Sequence, residues 1–448
     1  MIDLHAFSRR PAIFGALLLA TALSGCGALG GKDKPQTPTV GDRVPILSRI
    51  ETGTKVDPAI ASVAVVLPVA EANASWEQAG GTAGKAIGHL ALATSPSKAW
   101  SVSIAGSSNK RRLAAAPVVG NGKLFAIDTT ATVSAFDAAT GSKLWAHRLE
   151  VDGDLKGSAF GGGVSFADGK LYATNGIGEV AALDADTGAE IWKVKPAGPL
   201  RGAPTVAFGA VYVMTQDNQI HALNTSDGKP VWEESASAGQ AGVFGVAAPA
   251  AGQGTVIAGY STGELVAYRY ENGRTLWSDA LARTSISTQV GTLTDVDADP
   301  IIDSGRVYAL GQGGRMAAYE LVTGQRLWEL NLAGISTPAV AGEWIFTLTD
   351  DARMLAIARS SGKVRWIAQL EEWKNAKKKK GPIFWTGPVL AGNQLWIASS
   401  EGDMLSLSVA DGSITSRRDL GSSVSLPPIV ANNTLYILED NGRIQAFR

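Results

Sequence analysis

The chain has 448 residues, 45% hydrophobic and 18% charged, which is enough apolar material for a sizeable core and too little charge for a disordered chain. Lys and Arg number 40 against 41 Asp and Glu, so there is no basic surplus of the kind that nucleic acid requires. The single cysteine rules out a disulfide framework.

Residues 1–25 read as a secretory leader. Arg9 and Arg10 precede an apolar run, Ile13 to Ala20, that is too short to span a bilayer. Leu23-Ser24-Gly25-Cys26 then resembles the lipobox of bacterial lipoproteins. That resemblance implies cleavage before Cys26 and acylation of its thiol, palmitate included; an ordinary leader with a chance cysteine is the alternative. Loss of Asp3, Arg9 and Arg10 with the leader would move the net charge from -1 to -2. Gly27 stands where lipoproteins of this type often carry an inner-membrane retention Asp, which implies the outer membrane. Residues 26–48 are rich in Gly, Pro, Lys and Thr and read as a flexible tether. Residues 49–96 read as an extension packed on the main body. Within it Ser62 to Pro68 has the composition of a strand, and Trp76 stands outside any repeat.

From about residue 97 one pattern recurs. Ala135-Phe136-Asp137-Ala138-Ala139-Thr140-Gly141 followed by Trp145 reads as strand, tight turn, strand. The turn glycines Gly141, Gly188, Gly228, Gly273, Gly324, Gly362 and Gly412 are spaced 38–51 residues apart. All but the last are followed at a fixed offset by tryptophan: Trp145, Trp192, Trp232, Trp277, Trp328 and Trp366. Ser416 takes the place of the seventh. Such periods mark stacked supersecondary units, and four short strands per unit mean a propeller blade. The chain ends at Phe447-Arg448 on half a repeat, while Trp100 lacks a first half. The spacing therefore predicts an all-β, eight-bladed propeller of four-stranded antiparallel blades over residues 97–448, closed by pairing of its N- and C-terminal strands.

The motif Ala-x-Asp-x-x-Thr-Gly-x-x-x-Trp resembles the PQQ-type propeller repeat, in which each Trp stacks on the next blade. A lipobox ahead of eight repeats is similar to the BamB family of outer-membrane assembly lipoproteins. The Thr294-Asp295-Val296-Asp297 stretch adds to the likeness. The resemblance implies a non-catalytic scaffold, lipid-anchored on the periplasmic side of the outer membrane. Its implied partners are the periplasmic domains of BamA and other subunits of the assembly machinery, with unfolded outer-membrane proteins as a further partner. Asp295 and Asp297 are the contact positions it implies, read here as an exposed acidic loop. A second family contact loop falls on residues 239–246. It has no Arg, so that contact would depend on Val243 and Phe244.

The repeat also occurs in quinone-cofactor dehydrogenases, so a periplasmic enzyme or ligand-binding propeller is the competing reading. The residues argue against it. No cysteine follows Cys26, His89, His147 and His221 are isolated, and no nucleophile–base set stands in a recognisable context. Gly161-Gly162-Gly163 lacks the Lys and Ser/Thr of a phosphate loop. Asp295, Asp297 and Asp299 fail the spacing of a calcium loop, since Pro300 stands where Gly is needed. No catalytic residue, metal or cofactor is assigned. Lys377 to Lys380 reads as a solvated, mobile loop, with acidic headgroups or an acidic partner as the alternative.

Overall fold

The computed structural model describes residues 54–448 apart from 152, 201, 238–246, 282–294 and 313. Cys26, Val243 and Phe244 lie outside the described residues. Each repeat folds into one antiparallel four-stranded sheet, and eight such sheets follow one another around a ring. Blades one to seven cover residues 118–148, 164–194, 205–235, 250–280, 301–330, 339–369 and 385–419. Blade eight takes its three inner strands from Ile429–Ala431, Thr434–Leu438 and Arg443–Phe447, and its outer strand from Lys98–Ser103. Trp100 pairs with Ala446 and Val102 with Ile444, so the two ends of the ring are joined in one sheet as the half repeats predict. That pairing removes the open edge between first and last blade.

The sequence pattern explains the layers. The two middle strands of a blade are buried on both faces and are continuous apolar runs, such as Val211, Tyr212 and Val213. The outer strands alternate instead, as a half-exposed strand should. In Lys143–Arg148 and its equivalents the residue before each Trp faces solvent: Leu144, Ile191, Val231, Leu276 and Leu327 are 41–48% exposed.

The tryptophans join the blades. Gly141, Gly188, Gly228, Gly273, Gly324, Gly362 and Gly412 all have φ between 70° and 77°. A Cβ at each would stand 2.5–2.8 Å from the ring of Trp100, Trp145, Trp192, Trp232, Trp277, Trp328 and Trp366 respectively. Glycine is needed twice over, for the left-handed turn and for the ring that lies on it. Each indole N–H donates to a carbonyl of the same neighbouring turn, from Trp100 to Ala138 at 3.3 Å through Trp366 to Val409 at 2.9 Å. Ser416 breaks the series for a reason visible in the topology. Blade eight has no turn for a seventh-blade Trp to cover, because its third strand ends at Phe447 and its outer strand, starting at Lys98, comes from a distant part of the chain.

Residues 54–96 are integral to the ring. Ser62 to Pro68 forms no strand; Val63 accepts a hydrogen bond from the Arg365 side chain at 2.5 Å on the outer strand of blade six. The chain then crosses the axis. Asn73, Trp76, Glu77, Ala83, Gly84 and Leu90 bond through their backbones to the inner strands of blades eight, one, two, four, five and seven. Gln78 does so through its side chain to blade three, accepting from Val206 N at 2.8 Å and donating to Val206 O at 2.9 Å. Trp76 is buried, and Trp76 and Val119 exchange both backbone bonds. Residues 71–92 therefore close one end of the axial channel.

Candidate partner-docking site

The segments that lead into the inner strands surround the other end of the axis. They enclose a chamber of about 550 Å³ whose floor is the crossing segment. Its wall is small and apolar: Ala115, Ala203, Ala248, Pro338 and Pro427. Its charged groups are Lys85, Arg112, Asp297, Asp299 and Asp440.

Asp295, Asp297 and Asp299 lie on the segment that leads into blade five. The expectation of an exposed acidic loop is corrected for this stretch. Asp295 is only 2% exposed, and Val296 and Ala298 are buried. Val296 fills the space left by the missing side chain of Gly259, and Val296 N–H donates to Tyr260 O at 3.2 Å. The Asp295 carbonyl accepts from Gln312 N–H at 2.8 Å. Two alternate apolar residues thus pull the acidic string into the seam between blades four and five. Asp297 is half-buried, and among the described residues its Oδ2 has no hydrogen-bond partner. Burial, then the nearby charges of Asp295 and Asp350, push its carboxyl up to about 7. Burial, followed by the neighbouring Asp351, raises Asp350 to about 6. Asp299 accepts from Ala248 N–H at 2.8 Å, and burial raises its carboxyl as well.

Lys85, which nothing in the sequence marks, rises from the chamber floor beside Asp299. It is 3% exposed, and its Nζ donates to Thr205 Oγ1 at 3.0 Å. Burial lowers it to about 8, an effect that the Asp299 charge partly opposes. Among the described residues no group of three or more His, Cys, Asp and Glu is placed to hold a metal ion. An ammonium already beside Asp299 opposes a second cation there, so the chamber does not fit a quinone cofactor held with calcium. The histidines are held in local contacts. His89 donates from Nδ1 to Pro68 O at 2.8 Å and accepts at Nε2 from Asn393 N–H at 3.0 Å, which fixes one neutral tautomer. His147 faces Glu190 at 3.8 Å and His221 faces Glu233 at 3.5 Å. Gly162 and Gly163 press against Thr174 and Ala203, so the glycine run serves blade packing.

A closed ring of eight blades, bonded by tryptophans that each lie on the next blade's turn, defines a PQQ-type β-propeller. Residues 129–368 match the family model described as outer membrane protein assembly factor BamB, and the chain belongs to that family. It is 27% identical over 358 residues to the outer membrane protein assembly factor BamB of Yersinia pestis, covering 79% of this chain and 89% of the relative. The crystal structure of BamB from Moraxella catarrhalis superimposes with a TM-score of 0.67 at 21% identity, over 79% of this chain and 99% of that one. The quinohemoprotein alcohol dehydrogenase of Comamonas testosteroni gives 0.65 at 15% identity, over 84% of this chain and 80% of that one. At these identities both structures show the fold alone.

Proposed function

We propose that the chain is a non-catalytic subunit of the outer-membrane barrel-assembly machinery, held at the periplasmic face by acyl chains on Cys26 after removal of residues 1–25. Residues 26–48 are its tether. It docks the periplasmic domains of BamA through the loops that lead into blades four and five, with Asp297 as the charged contact. Asp295 supports Asp297 from the buried side, and Val243 and Phe244 supply the apolar part. The observation that carries this reading is Asp297, a chamber-lining residue whose buried Oδ2 has no hydrogen-bond partner among the described residues, in a chain of the BamB family. An Arg or Lys from a partner would complete it. Capture of BamA by the wild-type chain but not by Asp297→Arg, with unchanged thermal stability, is the expected result. Equal capture by both would overturn the assignment. Because the carboxyl ionises near pH 7, capture should strengthen from about pH 5.5 to about pH 8.5. Asp295→Arg is a poor test, since a buried charge reversal there would damage the fold.

A second role, delivery of unfolded barrel strands, is favoured by the outer strands of blades one to five. Each presents an unpaired backbone edge and one exposed aliphatic residue, Leu144, Ile191, Val231, Leu276 or Leu327. Protection of these edges from hydrogen exchange by an unfolded barrel peptide is expected, and no protection would remove this role. Dye-linked oxidation on adding PQQ and calcium would instead favour an enzyme.

A further inference from the structure

The connection between blades six and seven is more than a simple loop. It folds into an extra two-stranded hairpin, Trp373–Asn375 paired with Lys380–Pro382, the only crossing to do so among the described residues. Its base is fixed: Ile383 N–H donates to Glu372 O at 2.9 Å, and Trp385 Nε1 donates to Glu371 O at 2.9 Å. Ile383 and Trp385 are buried. Lys377, Lys378, Lys379 and Lys380 form its tip, all exposed. Glu372 at its base is exposed, and three other neighbouring carboxylates are engaged elsewhere. Glu401 pairs with Lys374, and Glu371 and Asp403 both pair with Arg417, at 3.0 and 2.8 Å. Among the described residues, none of the four tip lysines has a carboxylate partner. Phe384, 65% exposed, stands at the foot of the hairpin and also lines the chamber mouth.

We propose that Lys377 to Lys380 and Phe384 form a contact surface for anionic lipid headgroups, which turns the chamber mouth toward the bilayer. Four flexible ammonium groups without a groove between them suit a diffuse field of headgroups better than a fixed partner, which planar Arg forks would grip. An exposed aromatic beside lysines is the pattern of an interfacial contact. Each lysine near such a surface contributes roughly fivefold, and four acting together are enough to fix the orientation of a protein already tethered there. Phe384 and Asp297 line the same chamber, but the lysine tip does not include Asp297, so the lipid contact can be read without BamA.

Ala376→Cys, at the exposed tip, gives a site for an environment-sensitive dye, because the chain has no other cysteine than Cys26. The labelled full chain is reconstituted through its lipid into vesicles of phosphatidylcholine alone or with phosphatidylglycerol. Nitroxide-headgroup lipid should quench the dye several-fold more in the anionic vesicles. Raising salt from about 0.15 M to about 1 M should abolish the difference. Exchange of all four tip lysines for Gln should do the same, and Phe384→Ser should reduce it, while Asp297→Arg leaves it unchanged. If Cys26 carries no lipid, the same comparison is made by co-flotation of the full chain. Equal quenching in both vesicle types, or quenching that survives loss of the lysines, overturns the proposal; binding of the tip to an acidic protein alone, with no vesicle effect, overturns it too.

Discussion

Trp232 shows what a single residue does in this ring. It lies on the turn of Gly273 in the next blade, donates to Tyr270 O at 2.8 Å, and packs between Tyr212 and Tyr268 with ring centroids 5.7 and 5.9 Å away. Trp232→Ala leaves both a cavity and an uncovered turn. Denaturant titration should show a loss of about 3–5 kcal/mol. Asp297 is the opposite case, a residue that costs stability. Folded, it holds its proton up to about pH 7; unfolded, only to its ordinary value of 3.8. The folded chain therefore binds more protons between those values, and stability falls as pH rises from about 4 to about 7. Asp297→Asn should flatten that slope, a gain near neutral pH of no more than about 4 kcal/mol, read from melting temperature across pH. The tryptophans and turn glycines were legible because their roles are local and repeat. Asp295 was not. A string of alternating Asp reads as solvent-facing, and only the seam that takes up Val296 and Ala298 turns it inward.

The element that escaped the sequence is the crossing segment, residues 71–92. It has no hydrophobic period because it packs against a circle of different neighbours rather than one flat face. It also borrows its pairing from inner-strand edges that no local pattern reveals. The reading of residues 49–96 as an extension packed on the main body did not show its path across the axis, where Gly84 needs to be small because Ile302 O would stand 3.0 Å from a Cβ. Gln78 makes the dependence measurable. Gln78→Ala would leave Val206 N–H and C=O buried without their two bonds, at a cost of about 1–3 kcal/mol for each. Hydrogen exchange at Val206 should accelerate, while the Trp-covered turns of distant blades keep their protection. The hairpin at Lys377 to Lys380 escaped for a simpler reason. Its strands are three residues each, and four lysines obscure the pairing of Trp373 with Pro382.

At the scale of the molecule, the ring was the most legible feature, since unequal half repeats at the two ends require a closing sheet. The seam pairs Lys98 with Phe447, the most distant strands in the ring, so it forms against the largest loop entropy. Deleting residues 97–103 should leave blade eight with three strands and Gly141 without its Trp100 cover. A fall in melting temperature larger than that from Trp232→Ala is expected by calorimetry. Function was legible only through the family likeness. A propeller of this kind serves many chemistries, and the closed axial floor and the setting of Asp297 arise from contacts between distant segments.

The route of residues 54–65 has a mechanical corollary. Thr54 bonds to Asn331 O at 2.8 Å, Asp57 pairs with Lys363 at 3.2 Å, and Arg365 holds Val63. A pull on the chain ahead of Thr54 would thus be met first by shear along the flanks of blades five and six and next by the bonds of residues 71–92 to seven blades. Only after those yield does the load reach the strand at Lys98–Ser103. If the proposed anchor at Cys26 holds this chain, it can be pulled about without its hoop being prised open.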